Sequence, residues 1–217
     1  MAYDFNGTTQ YLFTTSVPTS TLPLTICAWF YPDDLIRIQA LVNLSSGTSG
    51  STFGLDARGG DAGDPVSAVD FRSPPASFTV ANTTTGYVAG QWNHGAAVFS
   101  ANNSRTAYLN GGNSATNTSN QTLTPTFNRI GIGIYFDAAN SPFSYFDGRI
   151  AEVGIWNVAL TAEEVASLAD GFTCDKVRPQ SLVFYAPLIR DLQDVRGGRT
   201  ITNNNTATVA NHPRVYA

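Results

Sequence analysis

Along residues 144–156 apolar and polar positions alternate in twos, the period of a β-strand. Ile150, Glu152, Gly154 and Trp156 fall on one side, and Arg149, Ala151, Val153 and Ile155 on the other. The period then changes. Thr161, followed three residues later by Glu164, has the spacing of a capping box, in which hydroxyl and carboxylate each satisfy a backbone N–H left unpaired at a helix start. Val165 and Leu168 give this helix one apolar face and Gly171 stops it, so one short helix is predicted at about 161–169.

The strand period recurs in short runs through the rest of the chain. Strand cores are predicted at 3–5, 11–14, 25–31, 39–44, 53–56, 66–71, 78–81, 92–100, 105–110, 129–135, 144–156 and 182–186. Between them lie a Gly/Ser/Thr loop at 45–51, a Gly/Asp loop at 58–65, and an Asn/Thr/Ser stretch at 113–125 that reads as a loop or a polar edge hairpin. This many short strands is what a two-sheet jelly roll needs, and no repeat of the length used by propellers or solenoids is visible. A single domain over 1–217 is expected. Its last stretch, 203–217, reads as a C-terminal arm too polar to form a core of its own. Asn211, His212, Arg214 and Tyr216 are the residues expected to dock on a neighbouring copy.

The run Phe146-Asp147-Gly148-Arg149-Ile150-Ala151-Glu152-Val153-Gly154-Ile155-Trp156-Asn157, continuing into Ala159-Leu160-Thr161 and Glu163-Glu164, resembles the closing signature of laminin-G-like, concanavalin A-like jelly-roll domains. Residues 3–13, with an Asn6-Gly7 turn, resemble the opening hairpin of that family. Residues 24–32, containing Thr25, Ile26 and Trp29, resemble its buried central strand, and 91–111 its paired strands around Trp92 with an Asn110-Gly111 turn. Residues 182–188, followed by Asp191, Leu192, Asp194, Gly197 and Gly198, resemble a segment that in many relatives comes first. The resemblance implies an all-β, two-sheet antiparallel jelly-roll sandwich with one short α-helix. The misplaced segment implies circular permutation, which costs little where chain ends lie close together.

Composition narrows the partners. Hydrophobic residues make up 42% and aromatics 12%, enough to fill the space between two sheets, while charged residues are only 13%, so Ser, Thr and Asn must supply most of the polar surface. Net charge is −4, with Lys176 the single lysine and the arginines scattered from Arg37 to Arg214, which argues against nucleic acid as a partner. No basic amphipathic helix or long apolar run is present, so membrane insertion is not expected. Met1-Ala2-Tyr3-Asp4 enters the first strand directly, with no signal peptide in this numbering; either the protein is made and kept in a cytosol or a signal peptide was removed before the numbering begins, and Met1 favours the first. Of the two cysteines, Cys27 reads as a small buried apolar residue in the central strand, and a bridge to Cys174 depends on a separation the sequence does not give.

Candidate chemistry is sparse. Glycoside hydrolysis needs two carboxyls about 5–9.5 Å apart. Of the three glutamates, Glu163 and Glu164 are explained by the helix start, and Glu152 has no carboxylate two or four residues away; Asp147 falls on the opposite face of a regular strand. Glu152 is better explained by pairing with an arginine such as Arg149 or with backbone N–H groups, and His94 as a hydrogen-bonded sheet residue. No nucleophile elbow, zinc-binding His pair or phosphate loop occurs, and an enzyme is not expected. The family resemblance brings in calcium held at the sandwich rim by hard oxygen ligands, for which Asp61 and Asp64, or Asp137 and Asn140, are the candidates. Tyr135, Phe136, Phe143, Tyr145 and Phe146 crowd around the turn before Pro142, where exposed rings would stack on a sugar. Asp137, Asn140 and Phe143 are therefore the candidate ligand-binding residues, with a host surface glycan as ligand.

Stand-alone domains of this resemblance occur in tailed-phage particles. The expected role is a non-catalytic virion surface protein, a capsid decoration or fibre component, in contact with its own copies or other virion proteins. The alternative is an extracellular lectin-like module, followed by a glycoside hydrolase.

Overall fold

A computed structural model describes residues 1–47, 49–73, 75–123, 126–189 and 191–216. Two antiparallel sheets face each other. The first runs in the order β10 (Gly112–Asn117), β9 (Ser104–Leu109), β8 (Asn93–Ala101), β3 (Leu24–Pro32), β14 (Asp147–Trp156), β1 (Ala2–Asn6) and β17 (Thr208–Ala210), with β15 (Leu182–Ala186) also paired to β14. The second runs β16 (Thr202–Asn204), β2 (Tyr11–Thr14), β11 (Arg129–Ile132), β4 (Ile38–Ser45), β5 (Thr52–Arg58), β6 (Pro65–Arg72) and β7 (Ser77–Gly86). Strands β12 (Tyr135–Phe136) and β13 (Pro142–Phe143) form a separate small hairpin.

The alternation read from the sequence puts one apolar row of each strand between the sheets, where Phe30, Leu41, Leu55, Phe99, Ile150 and Phe184 are all fully buried or nearly so. A second, smaller core lies on the outer face of the first sheet. There Val165 and Leu168 of α1 (Ala162–Ala169) cover Cys27, Val98 and Trp156, joined by Cys174 from a 3-10 turn at Cys174–Lys176. The capping box forms as predicted: Glu164 N donates to Thr161 Oγ1 at 3.3 Å, and Thr161 N donates to Glu164 Oε2 at 2.8 Å.

Three features depart from the sequence reading. The alternation of 144–156 is broken by a bulge at Glu152, whose φ of 53° interrupts the register with β3 between Ala151 and Gly154. Ile150 therefore faces the main core together with Val153 and Ile155, while Trp156 faces the helix. The strand predicted at 129–135 is cut by Gly133 at φ 74°, which lets β12 fold back over the sheet instead of continuing β11. Of the two readings of the Asn/Thr/Ser stretch, its first part takes that of the polar edge hairpin, as β10 paired with β9.

The tail is the third correction. Residues 203–216 are not an unattached arm: β16 pairs with β2 and β17 with β1, so the segment completes one edge of each sheet of its own molecule. Residue 217 lies outside the described residues. Strand β15 sits beside the C-terminal half of β14 and β1 beside its N-terminal half, both antiparallel to it. They run head to tail in one direction, like a single strand cut in two.

Candidate ligand-binding cleft

On β5, Phe53, Leu55 and Ala57 enter the core, so Thr52, Gly54 and Asp56 occupy the outer face of the second sheet. Register sets Thr52, Phe71 and Phe78 in one row and Gly54 and Val69 in the next. The β12–β13 hairpin lies over these rows. Tyr135 stacks on Phe143 with ring centroids 5.6 Å apart, and its hydroxyl donates to Asp56 Oδ1 at 2.5 Å. Gly54 makes this possible, because a Cβ there would collide with the phenol oxygen.

Between hairpin and sheet is a cleft of about 470 Å³. Val69, Phe71 and Phe136 give it apolar walls, and Ser49, Thr52 and Ser73 supply polar edges. Phe78 and Phe143 also line it, and each leaves about half its surface in solvent, 51% and 47%. Asp56 lies at the bottom, only 2% exposed. Burial pushes its carboxyl up to about 7, against the opposing pull of the Tyr135 hydroxyl and the Arg58 guanidinium. Burial, and then the charge of Asp56, pushes Tyr135 well above the ordinary phenol range. Arg58 Nη1 stands 3.8 Å from Asp56 Oδ2, its Nε is 2.7 Å from Asp61 Oδ2, and its guanidinium lies over the Phe78 ring at 5.7 Å.

The expected ligand residues are partly brought together here. Asp137 and Phe143 line the cleft, whereas Asn140 sits at the hairpin tip beside Gly47, where a Cβ on that glycine would meet its amide. Asp137 Oδ1 accepts from Ala139 N at 2.8 Å and Ser141 N at 2.7 Å, which holds the turn. Of the crowded aromatics, Tyr135, Phe136 and Phe146 are buried and Phe143 is open.

The calcium candidates Asp61 and Asp64 each have a partner within their own loop. Asp61 is taken by Arg58, and Asp64 Oδ1 accepts from Gly60 N at 3.2 Å in the same tight loop. Among the described residues no three His, Cys, Asp or Glu side chains are placed to hold a metal ion.

Glu152 lies on the other sheet, under the tail, and not in the cleft. Its partners are Tyr185, whose hydroxyl donates to Oε2 at 2.5 Å, and His212, whose Nε2 is 3.1 Å from Oε1; Arg149 instead faces Asp4 at 3.8 Å. His94 is buried against Trp29, with ring centroids 5.4 Å apart, and its Nδ1 has no hydrogen-bond partner. Of the arm residues, His212 is tucked against Glu152, and Tyr216 N donates to Gly171 O at 2.6 Å with its ring 65% exposed; Asn211 and Arg214 are exposed.

Among the cleft residues that the sequence reading missed, Phe78 included, Asp56 left a trace. Its signal was present: a carboxylate two positions after a strand glycine, on the polar face of Thr52-Phe53-Gly54-Leu55-Asp56, marks a place where another group comes close to the backbone.

A family model described as the concanavalin A-like lectin/glucanases superfamily matches residues 6–166. The chain belongs to that superfamily. No curated protein sequence matches it. Among solved structures, the superfamily fold is shared with a heptameric SAP-like pentraxin from Limulus polyphemus, at 18% identity, a TM-score of 0.64 and 94% coverage of both chains. Domain 4 of an extracellular GH43 arabinanase from Geobacillus stearothermophilus, solved with arabinotriose, is 24% identical, with a TM-score of 0.58 over 77% of this chain and 76% of that one. The CBM40 of a Ruminococcus gnavus IT-sialidase, bound to α2,3 sialyllactose, is 15% identical, with a TM-score of 0.58 over 77% of this chain and 96% of that one. At these identities the likeness is one of fold.

Proposed function

We propose that this protein is a non-catalytic carbohydrate-binding module that takes a glycan in the cleft between the β12–β13 hairpin and the outer face of the second sheet. The observation that carries this reading is the pair of half-open rings, Phe78 and Phe143, flanking a cleft with a polar floor. A pyranose ring offers an apolar C–H face and a hydroxyl rim, and such a cleft accommodates both. The solved structures with arabinotriose and sialyllactose support a sugar ligand by likeness of fold.

Binding is favoured over hydrolysis because the two carboxyls lining the cleft already have partners. Asp137 Oδ1 accepts two turn N–H groups, and Asp56 lies between Tyr135 and Arg58. The setting we favour is a virion surface, with host glycan as ligand and copies of the chain or other virion proteins as neighbours; an extracellular lectin-like module is the alternative. The low-charge surface rich in Thr and Asn supports packing against like copies, with exposed Arg214 and Tyr216 as contact residues.

The test is titration against a glycan panel. Phe78→Ala and Phe143→Ala should each weaken binding by about tenfold, or ~1.4 kcal/mol, while Tyr216→Ala leaves it unchanged. Polysaccharide turnover that vanishes in Asp56→Asn would replace this reading with a hydrolase.

A further inference from the structure

The outer face of the first sheet holds a group of side chains that sugar binding does not use. Cys27 stands in the middle of β3 and Cys174 opens the 3-10 turn after α1; both are 1% exposed, and their sulfurs are 4.0 Å apart. Gly154 keeps the space open, since a Cβ there would lie 2.7 Å from Cys174 Sγ and as close to the Trp156 ring. The Cys174 thiol also lies 3.6 Å from Glu152 O. His94 stands on the neighbouring strand, two residues from Ala96, the cross-strand partner of Cys27.

We propose that Cys27 and Cys174 are the two halves of a disulfide that forms under oxidising conditions and fastens the C-terminal covering layer to β3. A disulfide needs its sulfurs about 2.05 Å apart, so the pair must close by roughly 2 Å, a movement within the range of side-chain rotation. The two cysteines are 147 residues apart in the chain, so the bridge would tie about two-thirds of it into one loop and restrict the unfolded chain strongly. The bridge would add to the apolar contacts of Val165 and Leu168 with Val98 and Trp156, and would also secure the chain end, which hydrogen-bonds through Tyr216 to Gly171 and Thr173 beside Cys174.

The chemistry needs an external small-molecule disulfide of the glutathione type. The Cys27 thiolate attacks one of its sulfurs, the S–S bond breaks, and one thiolate leaves. The Cys174 thiolate then attacks the Cys27 sulfur of the mixed disulfide and expels the second thiolate. Two protein thiols are oxidised, the small disulfide is reduced to two thiols, and the two protons released pass to those leaving groups. Burial raises the cost of a thiolate at both cysteines. In the closed structure the hydrogen bond with Cys174 helps to favour the thiolate at Cys27, while Cys174 is raised. Since neither sulfur is open to solvent, exchange takes place in the folding chain or when the covering layer lifts.

The experiment refolds the full chain in mixtures of reduced and oxidised glutathione. In the oxidising mixture, thiol titration in denaturant should find neither of the two cysteines free. Digestion should yield one linked peptide pair containing Cys27 and Cys174, and the melting temperature should exceed that of the reduced chain by about 10 °C. Cys27→Ser and Cys174→Ser should each abolish the shift. Because each single variant retains one thiol, its own reduced form is its reference for any loss of packing. Two free thiols after oxidative refolding, a disulfide-linked dimer, or thiols that become reactive only after zinc is chelated would each overturn the proposal.

Discussion

Asp56 is the residue whose environment departs most usefully from what its type would suggest. A carboxyl that stays protonated up to about pH 7 in the folded protein, but only to about 4 when unfolded, binds its proton more tightly in the folded state. Its contribution to stability is therefore complete below about pH 4, declines as pH rises, and is lost above about 7. Asp56→Asn removes this titration while keeping an acceptor for Tyr135. The wild type should lose up to about 4 kcal/mol relative to the variant between pH 4 and 8, as measured by urea denaturation across that range; parallel pH profiles would show that Asp56 is ionised throughout. His212 works differently, through partners alone. Its Nε2 lies 3.1 Å from Glu152 Oε1 and 3.3 Å from Pro187 O, and its Nδ1 lies 2.9 Å from Pro213 O. His212→Ala should leave the buried Glu152 with Tyr185 as its remaining side-chain partner and cost about 1–3 kcal/mol, whereas an exposed-tail substitution such as Arg214→Ala should cost little.

Among the elements, β16 and β17 change the expectation for the tail most. A chain ended after Ile201 loses both edge strands, the His212–Glu152 contact and Ala207 from the main core. It should be less stable by about 3 kcal/mol or more, visible as an earlier thermal transition. An unchanged transition would restore the picture of a loosely attached arm. The helix and the long strands were readable beforehand because each carries its period in its own residues: Thr161 and Glu164 for the cap, Phe53, Leu55 and Ala57 for β5. The tail strands were not, since each is three residues long and takes its pairing from β1 and β2, some two hundred residues away in sequence. The bulge at Glu152 was hidden for a related reason, as an extra residue in one strand is defined only against its partner. Asp137 and Phe143 were found from an aromatic cluster around a turn. The floor they cover, Asp56, was not, because the hairpin that carries Tyr135 folds back at Gly133 over a strand far from it in sequence.

At the scale of the molecule, both chain ends belong to one core, which draws on residues from Tyr3 to Ala207. Strand β15 leads, in direction and position, into β1 along the edge of β14, although most of the chain separates them in sequence. The closing strand β17 pairs with β1 so that Ala210 lies opposite Ala2, placing the two chains about 5 Å apart there. From that point the seven residues that follow can carry the chain end away by at most about 25 Å. A linker of about ten Gly and Ser residues, which can span roughly 30 Å, is then long enough to join the old ends. New ends opened between Asp170 and Gly171 fall just after α1, so no strand is cut. In that permutant β15 precedes β1, the order that the resemblance of residues 182–188 to a leading segment implies. It should unfold in one cooperative transition within a few degrees of the parent and retain its glycan binding, because every strand pair and the cleft between β5, β6 and the β12–β13 hairpin are kept. A permutant that collapses without a cooperative transition would mean that the order of synthesis, and not the final packing alone, is needed to build this sandwich.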